Sequence, residues 1–207
     1  MREEQRVTIE SYNKIAKSWV SKRNSNFWAK EFLKFKKLLS SGSILELGCG
    51  SGTDSRYFLE SGYSYTGIDL SDGMLQIAQQ NHPNCRFLRM DLYQLGFRLN
   101  SFAGFWASAV FLHIPKNDIK QVLLGLKKVT SEGAVGFIAL KAGTGEQFVQ
   151  GSNKEDRRFF IYYTLPEFAL ILSQVGFEIY SMQRSLPDSR GTIWLTYFVR
   201  NKRIWQI

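Results

Sequence analysis

A glycine-rich turn directly after a short apolar run is the feature that most constrains the fold of this chain. The run Ser43 to Leu47 precedes glycines at positions 48, 50 and 52. An apolar run bounded by glycines predicts a strand buried on both faces of a parallel sheet. Glycine permits backbone angles and close approach that a side chain prevents. Amides at the start of the next helix, residues 53–60, would present partial positive charge to an anionic ligand group.

Two further predicted strands each end in an aspartate. Residues 63–69 end at Asp69, and residues 85–90 are followed by Asp91 and Leu92. A carboxylate at the first position can accept hydrogen bonds from both hydroxyls of a ribose. An acceptor beside a backbone amide at the second position suits the amino edge of adenine. Either aspartate alone fits a helix cap or a loop equally well, but their order along the chain predicts an adenosine pocket.

The spacing of the glycines distinguishes two kinds of adenosine-bearing ligand. A dinucleotide turn requires glycines at its first, third and sixth positions, whereas this turn has them at 48, 50 and 52. Glu46 lies two residues before the first of them. A pyrophosphate gains nothing from an anion there, but a ligand that carries an ammonium group does. The turn therefore favours an amino-acid-bearing nucleoside over a dinucleotide.

These residues resemble the class I S-adenosylmethionine-dependent methyltransferases. The resemblance is carried by residues 46–52, 67–71, 90–92 and 106–115, and by the turn at 131–134 before the strand 135–140. It covers about residues 43–141 with specific motifs and the rest of the chain more loosely. It implies an α/β, Rossmann-like class I methyltransferase fold. That fold has a seven-stranded, mostly parallel sheet with a C-terminal antiparallel hairpin and helices on both faces.

The resemblance also implies the cofactor, S-adenosyl-L-methionine, its product, S-adenosyl-L-homocysteine, and the roles of particular residues. Glu46 would hold the glycine loop and the methionine ammonium, directly or through water, and Ala107 would offer its carbonyl to that ammonium. Asp69 would bind the ribose hydroxyls, while Asp91 and the Leu92 amide would bind adenine. The complete set of residues expected at the cofactor is Glu46, Gly48, Gly50, Asp69, Leu70, Met74, Asp91, Leu92 and Ala107.

The chain is expected to form one domain, residues 1–207, in three parts. Residues 1–41 read as two amphipathic helices that form a lid, and residues 43–141 as the alternating strand and helix core with a mainly parallel sheet. Residues 142–207 supply a polar loop to about Arg157, a helix and a closing β-hairpin. Thr164 and Glu167 form the pattern of a capping box before that helix, which is expected to end near Gly176.

Composition bounds the class of protein. The chain has 207 residues, a formal net charge of +9 and two cysteines. No window approaches ~18 consecutive apolar residues, and the first residues lack the apolar stretch of a signal peptide. The cysteines have neither metal-ligand spacing nor the pattern of a disulfide framework. The expectation is a cytoplasmic enzyme without a metal.

Methyl transfer from a sulfonium needs a positioned nucleophile and a base where that nucleophile carries a proton. His113 follows the fourth predicted strand, at the edge of the transfer pocket in the family, and is the predicted catalytic base. A structural role, donating to a loop carbonyl, is equally consistent with its position. The residues predicted to contact the acceptor are Tyr12, Lys141, Arg158 and Tyr163. Cations beside tyrosines suit a carboxylate or phosphate.

The predicted function is methyl transfer from S-adenosylmethionine to a small molecule by in-line displacement. The positive charge keeps open an alternative, an RNA or tRNA methyltransferase, since a basic surface attracts phosphate without sequence readout. The cations are spread along the chain, which favours a solvated surface instead. A third alternative is a non-catalytic S-adenosylmethionine-binding partner domain. Neither a membrane partner nor any particular oligomeric state is indicated.

Overall fold

The computed structural model describes residues 1–21, 26–151 and 154–202. The strands are β1 Ser43–Leu47, β2 Ser64–Asp69, β3 Arg86–Arg89, β4 Phe102–Ser108, β5 Thr130–Lys141, β6 Glu146–Gln150, β7 Arg157–Ile161, β8 Phe177–Arg184 and β9 Trp194–Asn201. The helices are α1 Glu3–Ser21, α2 Ala29–Leu38, α3 Ser55–Glu60, α4 Asp72–Asn81, α5 Ile119–Val129 and α6 Leu165–Gln174, with a short 3₁₀ helix at Phe111–His113.

A seven-stranded sheet of order β3-β2-β1-β4-β5-β9-β8 organises the chain. Strands β3, β2, β1, β4 and β5 pair in parallel, whereas β9 runs antiparallel to both β5 and β8. The chain leaves β1 toward one edge and then returns to add β4 and β5 on the other side. Right-handed crossovers in opposite directions put their helices on opposite faces. The predicted Rossmann-like sheet with a closing hairpin is confirmed.

Aromatic rings fill the space between the central strands and α2 and α3. The indole of Trp106 on β4 stacks on Phe137 of β5 with ring centroids 4.0 Å apart, and its Nε1 donates to Asp54 at 3.1 Å. Phe35 of α2 and Phe58 of α3 meet the same indole edge to face. This packing holds β4 and β5 against α2 and α3.

Two expectations about loops differ from the structure. The segment expected to be a polar loop through about Arg157 contains β6, which pairs antiparallel with β7 as a separate two-stranded sheet. Glycines and charges around β6 obscured its short alternating pattern. The turn expected at residues 131–134 lies within β5, where Gly133 has a φ of +79° and the pairing with β4 shifts register.

The helix after the second strand begins with a side-chain cap, and the last helix begins with the capping box predicted from the sequence. The side chain of Ser71 accepts a hydrogen bond from the Met74 amide at the start of α4. Thr164 and Glu167 form a reciprocal capping box on α6, each side chain accepting from the other residue's amide. Satisfying these amides stabilises a helix start that would otherwise leave donors unpaired.

Replacing Thr164 by alanine is expected to lower the free energy of unfolding by about 1 kcal/mol, because the Glu167 amide loses its acceptor. Urea denaturation measures this change. Ser173→Ala on the exposed part of the same helix is the matched control and should leave stability within about 0.5 kcal/mol. Equal destabilisation by both substitutions would contradict the capping role.

Within the described residues, no helix is long and apolar enough to cross a membrane. The two cysteines, Cys49 and Cys85, are not joined by a disulfide.

Candidate active site

A cavity of about 600 Å³ opens at the carboxyl ends of β1, β2 and β4 and extends under α1. One end is lined by residues of the glycine turn and of the loops after β2 and β3. The other end is lined by α1, the 3₁₀ helix, β5, β7 and the loop before β9. Ligands of open parallel sheets bind at such strand ends, beside the point where strand order reverses.

The glycine turn depends on backbone angles that suit glycine. Gly48 has a φ of +64° and Gly50 a φ of +53°, and both line the cavity. A Cβ at Gly48 would lie 2.4 Å from the Cγ2 of Val110. The turn therefore brings bare backbone to the cavity wall while Val110 fills the space behind it.

Asp69 connects the glycine turn to the start of α4. Its Oδ2 accepts a hydrogen bond from the Gly50 amide and its Oδ1 from the Ser71 amide, each at 2.9 Å. Burial raises the pKa of Asp69, and the hydrogen bonds from backbone amides oppose that rise. The carboxylate lines the cavity, where further acceptor capacity on each oxygen suits a pair of hydroxyl groups.

Asp91 is held from two sides. Its Oδ1 accepts from the Tyr93 amide at 3.1 Å, and its Oδ2 accepts from the side-chain amide of Gln5 on α1 at 2.9 Å. Asp91 and Gln5 both line the cavity. Gln5 is a residue that the sequence analysis missed. Its position is one helical turn from Ile9 and two from Tyr12, so the shared face of α1 was an available signal.

Three apolar residues predicted at the cofactor line the cavity. Leu70, Met74 and Leu92 all line the cavity around the two aspartates, together with Met90. Flat apolar walls beside a carboxylate suit the face and the amino edge of a heteroaromatic base.

Glu46 and Ala107 are outside the set of described residues that line the cavity. The Glu46 side chain is buried, and its Oε2 accepts a hydrogen bond of 2.5 Å from the Tyr65 hydroxyl. Ala107 is fully buried in β4, and the wall begins at the next residue, Ser108. The Glu46 carboxylate is thus bonded inside the sheet, while the contact expected of Ala107 is through its backbone carbonyl. Their contribution to binding stays a prediction.

The second end of the cavity centres on His113. Its Nδ1 lies 2.5 Å from the Phe159 carbonyl oxygen, and its Nε2 lies 3.0 Å from the Tyr12 hydroxyl. Because a carbonyl can only accept, Nδ1 carries the proton and Nε2 of the neutral ring accepts from Tyr12. Burial, with the nearby charges of Arg158 and Lys141, lowers the pKa of His113 to about 3. The imidazole is therefore neutral at pH 7.

Arg158 is enclosed by rings and paired with a carboxylate. Its Nε lies 2.6 Å from Asp156 Oδ1, and one guanidinium nitrogen donates to the Tyr12 hydroxyl at 3.2 Å. The guanidinium also lies 4.6 Å from the ring centroid of Trp19 and 5.3 Å from that of Phe160. A desolvated guanidinium is stabilised by such rings and by its carboxylate.

Lys141 points its charge into the same end of the cavity. Its Nζ lies 4.1 Å from the ring centroid of Phe160. Burial, followed by the positive charges of Arg158 and Arg190, lowers the pKa of Lys141 to about 8. In the described part of the chain it forms no ion pair with a carboxylate, whereas Arg158 does. The carboxylates of Asp188 and Asp156 oppose this shift only in part, so Lys141 is an incompletely compensated cation.

Tyr163, also predicted to contact the acceptor, lies elsewhere. Its side chain is fully buried in the hydrophobic core, outside the described wall of the cavity, and it packs edge to face on Phe168. Burial raises the pKa of its hydroxyl. The expectation of a contact is wrong because the residue follows β7, whose direction turns alternate side chains into the core. Tyr12, Lys141 and Arg158 do line the cavity.

Helix α1 contacts both ends of the cavity. Asn13 accepts hydrogen bonds from the Ser71 hydroxyl and the Gly73 amide at 2.8 and 2.9 Å. Five residues earlier, Thr8 accepts from the Phe159 amide at 3.0 Å. Of the two helices in the segment predicted to form a lid, α1 is the one whose polar side chains hold the loop after β2 on one side and β7 on the other.

A family model described as a methyltransferase domain matches residues 44–133. This segment contains the glycine turn, Asp69, Asp91 and His113. This segment of the chain is thus similar to S-adenosylmethionine-dependent methyltransferase domains. In the described residues, no cluster of three or more histidine, cysteine or acidic side chains could hold a metal ion.

Relatives of this chain include two malonyl-[acyl-carrier protein] O-methyltransferases. The protein from Pseudescherichia vulneris is 32% identical over 117 residues, which is 56% of this chain and 46% of that protein. The protein from Salmonella typhimurium is 28% identical over 153 residues, which is 73% of this chain and 58% of that protein. The chain therefore spans about half the length of these curated relatives.

Among solved structures, a 1,6-didemethyltoxoflavin-N1-methyltransferase from Burkholderia thailandensis is similar with a TM-score of 0.74 and 20% identity. The match covers 93% of this chain and 85% of that protein, which was solved with 1,6-didemethyltoxoflavin and S-adenosylhomocysteine bound. At this identity, the likeness shows that the two chains share a fold.

Proposed function

We propose that this protein transfers a methyl group from S-adenosylmethionine to a small acceptor molecule that carries an anionic group. The observation that carries the proposal is a single cavity with two chemically different ends. Carboxylates and apolar side chains line one end, and cations among aromatic rings line the other. A cytoplasmic location stays part of this proposal.

The first end fits the nucleoside of the cofactor. Asp69 and Asp91 supply carboxylate acceptors for the ribose hydroxyls and the adenine amino group, and Leu70, Met74 and Leu92 supply apolar walls. Gly48 and Gly50 have positive φ angles and no Cβ atoms, so bare backbone forms this part of the wall. Such a wall suits a close-lying methionyl chain. When bound, the cofactor supplies an electrophilic methyl group on a sulfonium.

The second end fits a negatively charged acceptor. Lys141, Arg158 and Arg190 line it, and Tyr12, Trp19 and Phe160 provide aromatic surface beside them. Since Arg158 is already paired with Asp156, Lys141 is the cation best placed to gain from an incoming anion. An enclosed cationic end favours a small acceptor over RNA, whose phosphates are reached from a protein surface.

The test of this function begins with calorimetric titration of the purified protein with S-adenosylmethionine, S-adenosylhomocysteine and NAD. We expect binding of the first two and none of NAD. Transfer of a radiolabelled methyl group is then measured to a panel of carboxylate-bearing small molecules, a malonyl thioester and unfractionated tRNA. Binding of NAD alone would refute the proposal, and transfer only to tRNA would replace the small acceptor by RNA.

The affinity for an anionic acceptor is expected to fall as pH rises through about 8. Burial and the neighbouring cations hold the pKa of Lys141 at about 8, so the ammonium is charged below that pH and neutral above it. An anion beside it favours the charged form and raises its pKa. NMR titration of the lysine side chains, with and without benzoate, measures the pKa of Lys141 in the free and bound protein.

The Lys141→Met variant identifies the NMR signal of Lys141. In this variant the affinity for benzoate should no longer fall as pH rises through about 8. Lys120→Met, at an exposed position on α5, is the matched control and should retain it. A Lys141 midpoint near the ordinary value of about 10.4, unchanged by benzoate, would show that Lys141 is solvated and does not bind the anion.

A further inference from the structure

Both nitrogens of His113 already have partners. The Phe159 carbonyl fixes the proton on Nδ1, and the Tyr12 hydroxyl occupies the lone pair of Nε2 at 3.0 Å. A proton on an acceptor molecule therefore cannot reach the imidazole without displacing Tyr12. The group presented to the cavity in front of the imidazole is the tyrosine hydroxyl.

Tyr12 is held firmly in that place. Its oxygen receives a hydrogen bond from Arg158 at 3.2 Å, and its ring meets Trp19 and His113 edge to face with centroids 5.7 and 5.6 Å apart. Tyr12 lines the same cavity as Gly48 and Asp69, and its contacts with His113 and Arg158 put it at the cationic end.

We propose that the Tyr12 hydroxyl removes the acceptor's proton and that His113 acts through it, so that the methyl acceptor is an O–H or N–H group on a molecule that also carries an anionic group. This inference rests on the proposed function and adds the class of acceptor atom. It differs from the expectation that His113 is itself the base, because it makes His113 a positioning and proton-holding residue.

The acceptor's O–H or N–H bond breaks as its proton passes to the Tyr12 oxygen, while the Tyr12 proton passes to Nε2 of His113. The electron pair released on the acceptor forms the new bond to the methyl carbon, and the electrons of the broken carbon–sulfur bond stay on sulfur. The resulting imidazolium keeps its Nδ1 hydrogen bond to Phe159 and returns its extra proton to water after product leaves.

The charges around this pair explain why the acceptor should be anionic. Arg158 on β7 and Lys141 on β5 both disfavour a proton on His113. Asp156, the residue directly before β7, is paired with Arg158. An anion bound at Lys141 offsets their positive charge, which makes the imidazolium less costly to form. Burial also disfavours the imidazolium, so proton transfer to His113 is easier, though still uphill, when the anionic acceptor is in place.

Three probes separate this inference from methyl transfer to a carboxylate. 4-Hydroxybenzoate and 4-aminobenzoate carry a protic group and an anion, whereas benzoate carries only the anion. With radiolabelled S-adenosylmethionine, we expect label on the hydroxyl or amino group of the first two and none on benzoate. Label on the carboxylates, or on neither protic probe at saturating concentration, would overturn the acceptor class.

Variants test the roles of the two residues. Tyr12→Phe keeps the ring and removes the hydroxyl, and His113→Asn keeps a donor toward Phe159 but removes the acceptor nitrogen. Each should lower kcat about 100- to 10,000-fold, the range of general base catalysis. The double variant should be no worse than either single one, because the two residues act as a unit. Tyr180→Phe, at an exposed position on β8, is the matched control.

Readouts other than turnover keep the result interpretable. Calorimetric affinity for S-adenosylhomocysteine should stay within about twofold in both variants. The ¹⁵N spectrum of His113 should show a protonated Nδ1 and an accepting Nε2 whose shift changes in Tyr12→Phe. If S-adenosylhomocysteine fails to bind the wild type, the proposed function itself fails. If it binds and Tyr12→Phe retains full kcat, only the relay is refuted.

Discussion

Replacing Asp69 by alanine is expected to weaken binding of S-adenosylmethionine by about 1.5–3 kcal/mol, or roughly 10- to 150-fold in Kd. The substitution removes the acceptor proposed for the ribose hydroxyls. It also removes the acceptor of the Gly50 and Ser71 amides, which fixes the glycine turn against the start of α4. Calorimetric titration with S-adenosylhomocysteine measures the loss without the complication of turnover.

Asp72→Ala is the matched control, three residues along the chain. The Asp72 side chain is exposed and pairs with Arg89 at 3.2 Å, a surface ion pair of little energetic weight. Its removal should leave the affinity unchanged. Urea denaturation tests whether the Asp69→Ala variant is folded. A folded variant that binds S-adenosylhomocysteine as tightly as the wild type would refute the assignment of that residue to the ribose.

The second large effect is expected at the glycine turn. Gly48→Ala places a Cβ in a left-handed conformation, at a φ of +64°, and 2.4 Å from the Cγ2 of Val110. The conformation alone costs about 1–2 kcal/mol, and forcing extra volume into a packed site costs about 1–3 kcal/mol more. We expect the free energy of unfolding to fall by about 2–5 kcal/mol. Cofactor binding should be lost with the shape of the turn.

Gly62→Ala isolates the conformational part of this cost. Gly62 has a φ of +79°, and a Cβ there would meet nothing within 4 Å. The Gly62→Ala substitution should lower the free energy of unfolding by about 1–2 kcal/mol and leave the affinity for S-adenosylhomocysteine unchanged. Similar losses of stability and of binding in both variants would show that the contact with Val110 does not matter.

The sequence predicted the core of the fold because its signals are local. A buried apolar strand, a glycine turn and a following aspartate each depend on a few adjacent residues, and Asp69 and Asp91 do lie at the cavity. The capping box of Thr164 is local in the same way. The pairing of β6 with β7 was missed, since one short strand has no signal of its own until its partner is known.

The site was predicted less completely, because long-range packing decides which side chains reach it. Glu46 belongs to the glycine motif, yet the structure directs its carboxylate to the Tyr65 hydroxyl inside the sheet. Tyr163 follows β7 closely and still points into the core. Conversely, Gln5 lies 86 residues before Asp91, and nothing in either local sequence announces their contact.

The contacts of α1 also bear on how the two ligands influence each other. One face of the helix holds the loop after β2 through Asn13 and holds Asp91 through Gln5, while Thr8 and Tyr12 reach β7 and the 3₁₀ helix. A ligand that stabilises the bound position of α1 at one end of the cavity therefore also prepares the other end for its ligand. We expect positive cooperativity, in which S-adenosylhomocysteine tightens benzoate binding and benzoate tightens S-adenosylhomocysteine binding by the same factor, as thermodynamic linkage requires.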